Sequence, residues 1–132
     1  MLLIVSLVII FALSWAGVFY KWFILVPWID IPMHIAGGFC MALLVASYYS
    51  SEFKKLSQPF AFFTLLGLML VIGVFWEFHE FIFDHIFLAR KLSDNLNYHV
   101  VLQGNSFDTM KDLTNDILGT LLASLALFKR NV

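Results

Sequence analysis

Charge is scarce in this sequence. Only 13% of its 132 residues are Asp, Glu, Lys or Arg, about half the share of a soluble domain. That leaves too little polar surface to face water, and a bilayer is the natural solvent. Basic residues are not in excess. The formal net charge is −1, so there is no basic footprint and nucleic acid is excluded as an expected partner. Cysteine occurs once, at Cys40, and cannot form an internal disulfide. Repeats and low-complexity tracts are absent, and a single membrane domain over 1–132 is expected at this length. The familiar catalytic templates are also missing. No GxSxG, P-loop or GxGxxG occurs. His79-Glu80 lacks the second histidine of an HExxH helix, and Glu77-Phe78-His79-Glu80 is not the Glu-x-x-His of di-iron bundles.

Long apolar runs are what the sequence does contain. Four stand out, over about 2–20, 33–49, 60–88 and 109–128. Each is close to the ~20 residues that cross ~30 Å of hydrocarbon as a helix. The third is longer and predicts a tilted or projecting helix. The first has no basic n-region, too long an apolar run and no clean small-x-small site, so it reads as a retained helix and not a signal peptide. The expected fold is an all-α integral membrane protein, a four-transmembrane-helix bundle of up-down topology. Ser51 to Pro59 reads as a short polar turn, Lys21 to Pro32 as an interfacial segment, and Arg90 to Asp108 as the longest loop. Asp30 is expected to cap the second helix, with Pro32 in its first turn.

The polar groups are unevenly placed. Eight of the nine acids, all but Glu52, fall on the side of Lys21 and Arg90, with all four histidines. Trp15, Trp22, Trp28 and Trp76 lie towards that side, as an aromatic belt would. Basic residues are nearly balanced: Lys54, Lys55, Lys129 and Arg130 at one side, and Lys21, Arg90, Lys91 and Lys111 at the other. The loop-charge rule leans to cytoplasmic termini.

Three helices send chemistry to the acidic end. Glu77, Glu80 and Asp84 share one face of the third helix, and Asp108, Asp112 and Asp116 share a stripe of the fourth with Asn115 and Gly119. His34 sits one turn into the second, and Gly37 and Gly38 follow on nearly the same face, where they would admit close helix packing. Asp116 lies ~12 Å along its helix from Asp108, too far in for full solvation. Repulsion within such a row needs an offset. A divalent cation, protonation, or pairing with Lys111 and Arg90 would each supply one. Oxygen ligands with one imidazole suit Mg²⁺, Mn²⁺, Fe²⁺ or Zn²⁺. The bland alternative is interfacial, with acids at helix ends reaching water, and Asp30, Asp84 and Asp94 suit it best. His79 reads as a packed histidine, and His85 and His99 as interfacial ones.

Three motifs in order carry a resemblance: Asp30-x-x-x-His34-x-x-Gly37-Gly38-Phe39, Trp76-Glu77-Phe78-His79-Glu80, and Gln103-Gly104-Asn105-Ser106-Phe107-Asp108-Thr109-x-x-Asp112. Together they resemble the YjdF-like family of uncharacterised bacterial inner-membrane proteins and, more distantly, VanZ-like proteins. Phe107 and Asn105 depart from the Trp and Asp expected there. The resemblance implies a multi-pass protein of the inner membrane with a shared polar site at His34, Glu77, Glu80, Asp108 and Asp112. It implies no reaction. The functional expectation is a divalent-metal site near one membrane face, in an enzyme hydrolysing a lipid or lipid-linked phosphate. His34, Glu77, Glu80, Asp112 and Asp116 are the expected metal ligands. Asp108 is a ligand or base, and Gln103, Asn105, Arg90 and Lys91 contact a head group. A membrane lipid is the expected partner. The rivals are a proton- or ion-coupled transporter subunit, which would need a homo-oligomer, and an accessory protein whose acids only lock helices together.

Overall fold

A computed structural model describes residues 1–86 and 88–128. All of its regular elements are helices: α1 (Leu2–Phe19), α2 (Trp22–Leu25), α3 (Asp30–Tyr48), α4 (Ser50–Phe53), α5 (Gln58–His85), α6 (Leu88–Leu96) and α7 (Ser106–Phe128). Three of them, α1, α3 and α5, are long and apolar enough to cross a membrane. Helix α7 spans 23 residues, but Asp108, Lys111, Asp112 and Asp116 occupy its first half. Phe87, inside the expected third helix, and Lys129 and Arg130, used in the charge comparison, lie outside the described residues.

The ends of the helices follow local chemistry. Ser57 is extended ahead of α5, and Pro59 falls in the first turn, where its missing N–H is not needed. Lys21 takes a left-handed φ of 61° and separates α1 from α2. Asn105 Oδ1 accepts from Phe107 N at 2.8 Å and Asp108 N at 3.2 Å, which caps α7. The expected cap at Asp30 does not form. Asp30 lies within the first turn of α3, with no capping hydrogen bond, and its carboxylate turns towards α7. The expected loop from Arg90 to Asp108 also begins as helix, because Ala89, Leu92 and Leu96 form an apolar stripe on α6. That stripe packs with Trp15, Val18, Phe83 and Val100 at the acidic end of the bundle.

Helix α3 is the hub, packing on α1, α4, α5 and α7, and its main partner is α7. The two run parallel: Asp30 meets Lys111, His34 meets Asp116, and Ala42 and Ala123 share one buried cluster. Helix α5 runs the other way beside α7, with Gly73 next to Asp116 and Glu77 near Thr109. Small residues set the α3–α7 distance. A Cβ on Gly38 would strike the Asp116 carbonyl oxygen, and one on Gly119 would strike the Ile35 carbonyl oxygen. Gly37 contributes nothing to this contact, since a Cβ there meets no atom within 4 Å.

After α6 the chain returns over the acidic end and is tied down by Asp84. This carboxylate accepts from Leu102 N at 3.1 Å and Gln103 N at 2.9 Å. Tyr98 in the same segment has a buried hydroxyl that finds no partner among the described residues, and burial raises its phenol pKa above the usual value. Hydrogen bonds to a charged group contribute about 1.5–3 kcal/mol. Asp84→Asn is therefore expected to speed amide exchange at Leu102 and Gln103 at least ~10-fold. Unchanged exchange there would mean that other contacts hold the segment.

Candidate functional site

The site is built where α3 and α7 lie closest. Asp30 and His34 are one turn apart on α3, and Lys111, Asp112 and Asp116 come from α7. His34 is 8% exposed and sits between carboxylates. Its Nδ1 lies 3.2 Å from Asp116 Oδ1, and its Nε2 lies 3.5 Å from Asp30 Oδ1 and 4.0 Å from Asp112 Oδ1. A proton on Nδ1 donated to Asp116 leaves the Nε2 lone pair facing Asp30 and Asp112. One ligand atom each from Asp30, His34 and Asp112 lies within 4.8 Å of the others. Tetrahedral ligands at ~2.1 Å from an ion stand ~3.4 Å apart, so small side-chain movements would close the group on a cation.

Asp112 is the most deeply buried member of the group. It is 2% exposed, and its Oδ1 accepts no hydrogen bond among the described residues. A buried carboxylate oxygen that accepts no hydrogen bond is costly. Lys111 offsets part of the charge. Its Nζ lies 2.7 Å from Asp108 Oδ1, 3.2 Å from Asp30 Oδ2 and 3.4 Å from Asp112 Oδ1.

A cavity of about 650 Å³ opens from this cluster. Asp30, His34, Glu80, Asp108 and Lys111 line its polar end, and Asp116 reaches further along the wall, with Oδ2 beside Gly73. The rest of the wall is largely apolar and comes mainly from α1, α3 and α5, with Phe23, Pro27, Val101 and Leu102 beside them. Trp76 Nε1 donates to Glu80 Oε1 at 2.9 Å and holds that carboxylate on the wall.

The expected residues are thus partly gathered. His34, Asp112 and Asp116 meet directly, and Glu80 lines the same cavity. Glu77 turns away. Its Oε2 accepts from Gln103 Nε2 at 3.3 Å, and with Gln103 and Thr109 it lines a separate cavity of about 220 Å³. Glu77 Oε1 is buried and finds no hydrogen-bond partner among the described residues. Asp108 is held on both oxygens, by Lys111 and by Gly104 N at 2.9 Å. Asn105 is occupied by its cap. Arg90 and Lys91 are exposed on α6 and are not among the residues lining either cavity. His79 is exposed and tilts its ring against Trp76, and His85 stacks on Phe81. The sequence reading placed Asp30 among the interfacial acids, although its i, i+4 spacing from His34 was the available signal.

Helices long enough to span a bilayer, an apolar outer surface and a polar cluster buried between helices define a multi-pass membrane protein. A family model described as "Predicted membrane protein (DUF2238)" matches residues 1–131, and the chain belongs to this family. No curated protein and no solved structure matches it.

Proposed function

We propose that this protein holds a divalent metal ion at Asp30, His34 Nε2 and Asp112, at one face of the inner membrane, and hydrolyses a lipid or lipid-linked phosphate there. The observation that carries the reading is a three-residue ligand group, Asp30, His34 and Asp112, whose buried Asp112 Oδ1 accepts no hydrogen bond among the described residues and whose Asp30 and His34 line an amphipathic cavity. In this reading all four long helices cross the bilayer in up-down order, with both termini cytoplasmic. The parallel course of α3 and α7 and the antiparallel course of α5 support that order. The uncharged second half of α7, from Ile117 to Phe128, would enter the membrane.

The chemistry divides among these residues. A bound divalent ion supplies charge to polarise a phosphoryl oxygen. Asp116 keeps the His34 ring oriented, as carboxylates beside ligating histidines do. A water attacks phosphorus and the P–O ester bond breaks. Glu80, on the cavity wall, takes the water's proton and passes it to the leaving oxygen, which departs as the alcohol. It suits this role better than Asp108, whose two oxygens are already held. Transport is the weaker reading. Proton paths need acids through the whole membrane, and the other end of the bundle offers only Glu52, which pairs with Lys55 at 2.8 Å.

Metal analysis of protein purified without chelator tests this. About one ion per chain is expected in the wild type. Asp112→Asn should lose it and should abolish phosphate release from lipid phosphates. A metal-free wild type that gains nothing from added Mg²⁺, Mn²⁺, Fe²⁺ or Zn²⁺ would sink the reading.

A further inference from the structure

The cavity says more about the ligand than the metal group does. Its polar end is at Asp30 and His34 on α3 and at Glu80 on α5, and its far end is at Met41 and Met69. Asp30 to Met41 and Glu80 to Met69 are each 11 residues by numbering, or ~16 Å of helix. Both walls therefore give the same depth. On α1 the wall runs from Ser14 to Leu7. All three walls belong to the helices long and apolar enough to span the bilayer, so the far end lies at hydrocarbon depth. Methionines at Met33, Met41 and Met69 give the wall adaptable side chains. The volume of about 650 Å³ falls within the ~300–1,000 Å³ of sites that take one small ligand.

We propose that this cavity seats a single hydrocarbon chain, running from the Asp30–His34 cluster past Gly37 to Leu7, Met41 and Met69, so that the substrate is a lipid with one chain inside the protein and its phosphate at the cluster. The position of the phosphate rests on the metal reading above, and the seating of the chain does not. Gly37 is the key to the wall. It lines the cavity and a Cβ there meets nothing within 4 Å, so a larger side chain would fill the chain's path while leaving the α3–α7 contact intact. Gly67 is equally open but is not among the residues lining the cavity, which makes it the control.

The test uses the full chain in phosphatidylcholine nanodiscs and alkyl phosphates carrying a diazirine at the chain end. Photolabelling is expected near Leu7, Met41 or Met69, saturable and displaced by unlabelled alkyl phosphate. Gly37→Leu should cut it at least tenfold and Gly67→Leu should not. Label found only on outward residues such as Val8 and Val71, or unaffected by Gly37→Leu, overturns the proposal. Each arm is repeated with chelator, and with an alkyl trimethylammonium of the same length. Deep labelling that ignores both changes supports the chain seat while the metal reading fails. Deep labelling by the phosphate alone, and only with metal, supports both.

Discussion

Gly119→Ala is expected to separate α7 from α3 and to destabilise the protein strongly. Helix propensity alone predicts the opposite, because alanine gains about 1 kcal/mol over glycine inside a helix. Sterics decide the sign. The new Cβ would sit on the Ile35 carbonyl oxygen and 2.7 Å from Phe39 N. Both are backbone atoms, so no rotamer change relieves the clash and the helices must move apart. Overpacking typically costs about 1–3 kcal/mol, and the upper end applies where backbone meets backbone. Gly38→Ala should behave alike, since its Cβ would lie 2.9 Å from Asp116 Cα. Gly37→Ala should be neutral or slightly stabilising. Thermal unfolding in one detergent checks all three. Equal melting of the Gly37 and Gly119 variants would mean that α3 and α7 are not this close.

The same contact explains the site. His34 belongs to α3 and its carboxylate partners Asp112 and Asp116 to α7, so the distance between the helices sets the distance between the ligands. A variant that parts the helices should lose metal as well as stability. Chemistry and packing thus share one stripe on α7, where Asp112 and Asp116 precede Gly119 and Ala123 at helical spacing.

That stripe was legible in the sequence, as were the long apolar helices, because both depend on a 3.6-residue period and on hydropathy. The gathering of acids and histidines at one end was legible for the same reason. What was not legible depends on side-chain direction and on contacts between helices. Glu77 and Glu80 are three residues apart and share a face in projection, yet Glu77 turns to Gln103 and Glu80 to Trp76. Asp30 looked interfacial from its position near a loop, and only the parallel approach of α7 brings it into the ligand group. Helix α6 was read as loop because its charged residues conceal the short stripe of Ala89, Leu92 and Leu96. Pairing with Lys111 is one of three offsets the sequence leaves open for the acid row, but its choice of Asp30 and Asp112, two of the three candidate ligands, depends on the parallel approach of α3 and α7.

That choice leads to the second large effect. Lys111 is a cation tethered where a metal ion would bind. Its ammonium lies 3.2 Å from Asp30 and 3.4 Å from Asp112, so a divalent ion bound there would be repelled by Lys111 or would displace it. Lys111→Met is therefore expected to tighten divalent binding at least tenfold, about 1.4 kcal/mol. In chelator the same variant should melt below the wild type, because Asp30, Asp108 and Asp112 lose their common counter-charge. Saturating metal should then reverse the order, since a ligand stabilises the folded state in proportion to its affinity. Asp116→Asn should act in the other sense. It keeps the shape of the side chain but weakens the hold on His34 Nδ1, and losses of ~10–100-fold in metal affinity follow when such partners are removed. Calorimetric titration of the two variants separates the roles: tighter binding for Lys111→Met identifies a competitor, and weaker binding for Asp116→Asn identifies an orienting group. If Lys111→Met binds metal no better than the wild type, the ammonium and the ion do not compete for Asp30 and Asp112, and the ligand group must be sought elsewhere along the cavity.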